Sequence, residues 1–179
     1  MNIHNSSKSF AMSALAVVAL SLLAPSSPAR ERVSQATGPR GGTLDRDVEA
    51  SAGNVEKSAT YTSPAGKVST RHASRQADRA TGTVTGSAKT TLANGKSASS
   101  SYTSVKTDTG RTTTGQATGF NGKTATYNST STKTADGFTR EATTTGPNGG
   151  SVTKDVDVTK QDGSVTRTVM VTKNPPAKP

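Results

Sequence analysis

Basic residues recur at a regular spacing along this chain, and they are its best candidates for chemistry. Lysines return every 27 residues just before one kind of turn, and further lysines return just after another kind. A row of cations along an extended surface neutralises the charged groups of a polymer, whatever the order of the polymer's units. We therefore predict polyanion binding by Lys67, Lys96, Lys123, Lys106, Lys133, Lys160, Arg140 and Arg167.

The overall charge agrees with an anionic partner. The formal net charge is +10 at pH 7, and basic residues occur throughout the chain. The partners that this charge suits are anionic polysaccharide, extracellular nucleic acid and the lipid phosphates of a cell envelope, all bound without sequence readout. The same charges also have two simpler roles, because they give solubility and prevent aggregation at strand ends. Self-association is a further candidate.

Residues for catalysis, by contrast, are scarce. The chain has no cysteine, and His72 is the one histidine beyond the N-terminal segment. A metal site or a nucleophile–base pair needs several such groups close together. We expect the carboxylates to lie mostly at turns, where aspartate serves backbone geometry. We predict no catalytic residue, no cofactor-binding residue and no metal site, and we predict that the protein is not an enzyme.

The N-terminus has the pattern of a secretory signal. Lys8 precedes an apolar run from Phe10 to Ala24, and small residues and prolines follow it up to Ala29. This order is typical of a cleaved signal peptide, and the run is shorter than the ~20 apolar residues that span a bilayer. We predict that residues 1–29 are removed and that the mature chain has no transmembrane segment. The protein would then be exported to the periplasm, the cell surface or the extracellular space.

Regular turn signals show how the lysines are positioned. Three T-x-x-N-G turns recur every 27 residues, and a second turn containing aspartate and glycine falls midway in each repeat. Asn-Gly and Asp-Gly between extended runs are strong hairpin signals, because both turn residues accept a positive φ. A fixed period of this size indicates one supersecondary unit copied along the chain. The turns are Asn94-Gly95, Asn121-Gly122, Asn148-Gly149, Asp108-Thr109-Gly110, Asp136-Gly137 and Asp162-Gly163.

The runs between these turns alternate in polarity, as strands do. Val152, Val156 and Val158 fall on one face of such a strand, and serine, threonine and aspartate fall on the other. The fold class we predict is all-β: an antiparallel meander of hairpins in a single-layer or curled sheet. The alternative is a β-solenoid or functional-amyloid-like coil. We favour the meander because a coil stacks matching lysines about 4.8 Å apart, whereas a meander separates them by about 10 Å.

The repeats define the expected domain limits. We predict a flexible, disordered polar leader over 30–57, because apolar residues do not recur there. The Thr-rich β-repeat region follows over 58–173. A Pro-rich tail over 174–179 ends the last strand, because Pro175 and Pro176 cannot donate to a ladder.

Together these features predict a class of function. We expect an exported, non-enzymatic structural or adhesive module of the bacterial envelope or extracellular matrix, presenting a cationic Thr-rich sheet to anionic polymers or surfaces. A self-assembling, functional-amyloid-like fibre subunit is the alternative. A lesser alternative is ice binding, because T-x-T pairs such as Thr124 and Thr126 resemble the ice-facing arrays of some antifreeze proteins. A periplasmic inhibitor is another.

Overall fold

The computed structural model describes residues 29–176, which form one antiparallel sheet of eleven strands. Each strand pairs with its neighbours in the chain, in the order β1 to β11. The predicted all-β meander is confirmed, and the described residues include no helix. The strands are β1 Arg30–Thr37, β2 Thr43–Ser51, β3 Asn54–Thr62, β4 Val68–Asp78, β5 Thr83–Thr91, β6 Ser97–Lys106, β7 Gly110–Thr118, β8 Thr124–Lys133, β9 Gly137–Thr145, β10 Ser151–Gln161 and β11 Ser164–Asn174.

The turns fall alternately at the two ends of the strands. We call one the lysine end; its turns span residues 38–42, 63–67, 92–96, 119–123 and 146–150. We call the other the aspartate end; its turns span 52–53, 79–82, 107–109, 134–136 and 162–163. Matching positions of successive repeats therefore lie two strands apart within the sheet. They are not stacked on one another as they would be in the solenoid alternative.

The lysine-end turns share one backbone design. In the turn of residues 92–96, Gly95 N–H donates to Leu92 O at 2.9 Å, and Leu92 N–H donates to Lys96 O at 2.9 Å. Gly95 has a φ of 80°, whereas Asn94 is not among the residues with positive φ. This is a type I turn closed by a glycine bulge. The expectation that both residues of Asn-Gly take a positive φ is therefore wrong; instead, Asn94 Oδ1 accepts a hydrogen bond from Lys96 N–H at 3.1 Å.

The aspartate end is more varied. Asp162 and Gly163 both have positive φ, as expected of a two-residue type I′ hairpin. Gly110 and Gly137, which we predicted as turn residues, are instead the first residues of β7 and β9. A Cβ at Gly137 would overlap the carbonyl oxygen of Val158 on the neighbouring strand. Glycine is needed there because two backbones approach closely, not because the chain turns.

The sheet extends further toward the N-terminus than predicted. Residues 30–57, which we expected to be a flexible leader, form β1, β2 and the beginning of β3. The prediction relied on apolar periodicity, but the edge of a single-layer sheet is held chiefly by backbone hydrogen bonds. All eight residues of β1 are accordingly exposed. The predicted signal peptide lies, apart from Ala29, outside the described residues, as do residues 177–179 of the predicted tail.

The most buried residues lie in the middle of one face. Val84 on β5 is 6% exposed, Ser104 on β6 is 6% exposed, and Ser129 on β8 is 5% exposed. Val84 is directly opposite Ser104, and Thr113 of β7 lies between Ser104 and Ser129 in the same row. Small side chains in this row allow their longer neighbours to cover them. The fold therefore relies on its ladders, supplemented by a narrow packed strip.

Candidate polyanion-binding face

The strand cations collect on one face of the sheet. Directly opposed residues of a ladder share a face, and successive residues of a strand alternate between faces. We call the face that carries Val84 the basic face and the other the threonine face. Lys89 is the one strand cation on the threonine face among residues 29–176. The basic face carries Arg30, Arg32, Arg46, Lys57, Arg71, Arg75, Lys106, Arg111, Lys133, Arg140, Lys154, Lys160, Arg167 and Lys173.

Nine carboxylates lie on strands and not at turns, where we expected most of them, and all nine belong to the opposite face. In β10, for example, Lys154 belongs to the basic face, whereas Asp155 and Asp157 belong to the threonine face. A polyanion on the basic face therefore meets no carboxylate from the described strands on that side. The carboxylates of the threonine face are Glu31, Asp45, Asp47, Glu49, Glu56, Asp78, Glu141, Asp155 and Asp157.

Threonine also lies apart from the cations. The polarity alternation predicted from Val152, Val156 and Val158 is confirmed and extends over one face, because the register places Tyr102, Tyr127 and Val152 in a single row of the basic face. Thr166, Thr168 and most other threonines lie on the threonine face. The single cationic Thr-rich surface that we expected is therefore corrected to two surfaces. Alternation forces this result, since most strand threonines and all but one of the strand cations occupy positions of opposite parity.

The predicted lysine columns run along opposite ends of the strands. Lys67, Lys96 and Lys123 lie in lysine-end turns, whereas Lys106 and Lys133 end strands at the aspartate end. Strands of this length separate the two columns by about 30 Å, at ~3.3 Å per residue. Within one column, successive lysines are two strands apart, or about 10 Å. The structure therefore does not bring the two columns together; the basic face joins them.

The two columns have different electrostatic surroundings. The lysine-end turns contain Arg40 and the lysines of the first column, and no carboxylate occurs in these five described turns. At the aspartate end, Asp108, Asp136 and Asp162 follow the lysines of the second column within two or three residues. Neighbouring carboxylates offset the field of a lysine. The lysine end is therefore the more strongly cationic border of the basic face.

Asp78 is the carboxylate whose surroundings most clearly favour its charge. Its side chain accepts a hydrogen bond from the Thr81 hydroxyl at 2.9 Å and one from Ala80 N–H at 2.8 Å. The Thr81 hydroxyl, followed by the backbone N–H groups of Ala80 and Thr81, lowers the pKa of Asp78. Hydrogen bonds to the charged form have this effect. These hydrogen bonds therefore favour the charged form of Asp78, the last residue before the turn of residues 79–82.

Arg140 is the predicted site residue that the fold fixes most firmly. Its Nη2 donates to Tyr127 Oη at 2.5 Å, and its Nε donates to Ser129 Oγ at 3.3 Å. Arg111 repeats this arrangement on β7, donating from Nη1 to Ser104 Oγ at 3.0 Å. Both guanidinium groups are partly buried, and each donates a hydrogen bond to a serine of the buried row that contains Ser104 and Ser129. They contribute positive charge and structure together, whereas Arg167 on β11 is exposed.

Several basic-face residues were absent from the predicted site. Lys57, Arg71 and Arg75 lie on β3 and β4, where the sequence repeat is weak or missing. Lys154 lies in the middle of β10 and belongs to neither column. The parity of each cation within its strand could have identified them. We grouped the cations by their distance from turns, which selects strand ends and neglects strand centres.

The threonine face carries a shallow acidic groove. It is lined by Asp47, Glu49 and Glu56 together with His72, the one histidine of residues 29–176. Glu49 is directly opposite Glu56 in the ladder. Asp47 Oδ1 is buried without a hydrogen-bond partner. Within residues 29–176, no three histidine, cysteine, aspartate or glutamate side chains are grouped so that they could hold a metal ion.

Comparisons with protein-family models, curated proteins and solved structures found no match to this chain. No helix in the described part of the chain is long and apolar enough to cross a membrane.

Proposed function

We propose that the protein is an exported, non-enzymatic module of the bacterial envelope or extracellular matrix that binds anionic polymers on its basic face. The observation that supports this proposal is the separation of charge between the two faces. Every strand carboxylate of the described chain lies on the threonine face, and all but one of its strand cations lie on the basic face. A sheet needs charged residues to be soluble, but solubility does not require cations and carboxylates to lie on opposite faces.

The geometry suits a long, flexible partner. A meander in a single layer is an extended surface, and a polymer lying across the strands meets cations strand after strand. Binding of this kind depends on charge density and counterion release, and it falls as salt increases. Anionic polysaccharide, extracellular nucleic acid and the lipid phosphates of the envelope share this chemistry. The lysine end is the border at which such a polymer meets the fewest carboxylates.

A pair of matched variants tests the proposal. The first replaces three exposed basic-face cations, in Arg71→Gln, Lys154→Gln and Arg167→Gln. The control lowers the net charge equally on the threonine face, in Thr85→Glu, Thr114→Glu and Thr159→Glu, at exposed positions on separate strands. The measurement is the dissociation constant for heparin, for double-stranded DNA and for vesicles of anionic lipid, each over a series of salt concentrations.

We expect the basic-face variant to bind about 100-fold more weakly, at ~1 kcal/mol per cation. The threonine-face control should change affinity much less, because its new charges lie on the far side of the sheet. The three ligands distinguish polysaccharide, nucleic acid and lipid as partners. Equal losses in the two variants would show that net charge alone governs binding. Wild-type binding that does not weaken with salt would exclude the electrostatic mechanism.

A further inference from the structure

β11 is a long, open edge of the sheet. Within the described chain it pairs with β10 alone, and all eleven of its residues are exposed. Val165, Val169, Met170 and Val171 are exposed large apolar side chains, which gives β11 more of them than any other described strand has. An exposed apolar edge strand is a template for pairing with another strand. The opposite edge, β1, carries Arg30, Glu31 and Arg32 and has Val33 as its one large apolar residue.

The turn before β11 determines which backbone N–H and C=O groups of β11 point away from β10. Asp162 and Gly163 form a two-residue loop, so the flanking residues Gln161 and Ser164 are a hydrogen-bonded pair. Hydrogen-bonded and non-hydrogen-bonded pairs alternate along an antiparallel ladder. Ser164 and every second residue after it therefore bond to β10. The N–H and C=O groups directed toward the open edge belong to Val165, Arg167, Val169, Val171 and Lys173.

We propose that β11 pairs antiparallel with β11 of a second copy of this chain, about a two-fold axis at Val169. Val169 is the central residue of the strand Ser164–Asn174, so this register pairs the strand over its whole length. Val169 also has free backbone groups, so it can form a hydrogen-bonded pair with itself across the axis. An interface of this kind uses the same patch on both subunits and closes as a dimer.

The charges of β11 favour the same register. With Val169 on the axis, Arg167 lies opposite Val171 of the second copy, and Lys173 lies opposite Val165. A register centred on Arg167 would place that residue opposite itself. A register centred on Met170 would place Arg167 opposite Lys173. Like charges directly opposite each other destabilise paired strands.

Pairing of β11 with β1 of another copy is less favourable. Both strands run from the aspartate end to the lysine end, so such a contact would be parallel if the basic faces stay on the same side, and it would pair at most the eight residues of β1. It would also bring Arg30 and Arg32 to the same face as Arg167. That contact is head-to-tail and would generate fibres. The strand directions and the charges at the two edges therefore favour a closed dimer over the self-assembling fibre, which was the alternative expectation.

The dimer would extend the binding surface. A two-fold axis normal to the sheet keeps both basic faces on the same side, so they form one continuous surface. A polymer long enough to span both copies would bind through two linked sites, which raises its avidity. The proposal of a dimer depends on the exposed edge of β11 and not on the proposed polymer binding. The two proposals can therefore fail separately.

A proline at an edge position gives a selective test. Val169 N–H points to the open edge, so Val169→Pro removes no bond to β10 but blocks pairing at the axis. The control is Gln35→Pro on β1. Gly38 N–H bonds to Gly42 O at 2.7 Å, and the alternation from this pair directs Gln35 N–H away from β2. The measurement is molar mass by sedimentation equilibrium over a dilution series of the secreted chain, with folding checked by circular dichroism.

We expect the wild-type protein and Gln35→Pro to be dimers and Val169→Pro to be a folded monomer. Val169→Lys, which places two ammonium groups together at the axis and keeps the backbone N–H, should also be monomeric. Val171→Glu would face Arg167 of the second copy, so it should tighten the dimer several-fold at low salt. A monomeric or fibrous wild-type protein would overturn the proposal. A dimer that persists in both Val169 variants, or that Gln35→Pro dissociates, would also overturn it.

Discussion

The lysine end and the aspartate end of the sheet reverse the chain with different kinds of turn. At the lysine end, five turns reverse the chain with one repeated design, in which a glycine takes the positive φ and most of the turns carry a cation. At the aspartate end the turns differ in length, three of the five contain an aspartate, and Gly110 and Gly137 lie in close contact with a neighbouring strand. Repetition of a backbone design therefore also repeats a charge pattern. Four of the five lysine-end turns carry a cation and none carries a carboxylate, whereas the aspartate end carries both signs of charge.

The largest expected difference between the ends concerns glycine. Gly137→Ala at the aspartate end should destabilise the fold by about 3 kcal/mol, because the new Cβ would overlap Val158 O. Gly122→Ala at the lysine end meets open space, and only its φ of 74° is unfavourable. We expect a cost of ~1 kcal/mol there. Urea unfolding of the two variants measures the difference, and equal midpoints would show that the close contact is not tight.

The second difference concerns ligand affinity. Lys67→Gln, Lys96→Gln and Lys123→Gln together should weaken heparin binding about 100-fold, from ~1 kcal/mol per lysine. They should lower the slope of log affinity against log salt by about 3, or ~1 per lost contact. The matched triple is Lys106→Gln, Lys133→Gln and Lys160→Gln. It should lose less affinity, because neighbouring aspartates already offset those charges. A greater loss from the aspartate-end triple would reverse our assignment of the stronger border.

A smaller effect is expected from the asparagine of a lysine-end turn. Asn121 Oδ1 accepts a hydrogen bond from Lys123 N–H at 3.1 Å. Asn121→Ala removes this acceptor and should lower the free energy of unfolding by about 1 kcal/mol. Asn121→Asp keeps an oxygen in place and is the control for stability. If both substitutions cost the same, the hydrogen bond does not hold the turn.

The smallest expected effect is the pH dependence of the aspartate end. Hydrogen bonds lower the pKa of Asp78 in the folded state, so its contribution is fully present above its unfolded pKa of about 3.9. That contribution is lost as the pH falls through the lower folded pKa. Wild type should therefore unfold at higher urea than Asp78→Asn above about pH 5, and the two should converge in strong acid. A difference that stays constant down to the lowest pH would show that the ionised carboxylate is not responsible.

Much of the repeat region could be predicted because its signals are local. The turns containing Gly95, Gly122 and Gly149 were placed correctly, since a residue with positive φ selects glycine wherever the chain reverses. The preference for a meander over a coil, which followed from the spacing of like charges, was also correct. The strands of residues 30–57 could not be predicted in this way. Their side chains are largely exposed, so their sequence carries little apolar alternation to mark them as strands.

The candidate site was only partly predictable. Its cations are visible in the sequence, but Arg71 and Lys154 share a face only once the register of every intervening strand is fixed. A slip of one residue in any ladder would move all later cations to the other side. The hydrogen bonds that hold Arg140 to Tyr127 join adjacent strands and depend on the same register. No local pattern around Arg140 reveals them.

Within the repeat region, the sequence by itself determined where the chain reverses and that the segments between reversals are strands; for the whole protein it determined how strongly cationic the chain is. These properties depend on single residues and their nearest neighbours, through backbone preferences and fixed charges. Only the tertiary structure decided which cations share a surface, which glycines face another backbone and which strand is left as the open apolar edge. Each of these depends on pairing between segments, and pairing is set by the cumulative register of the whole sheet.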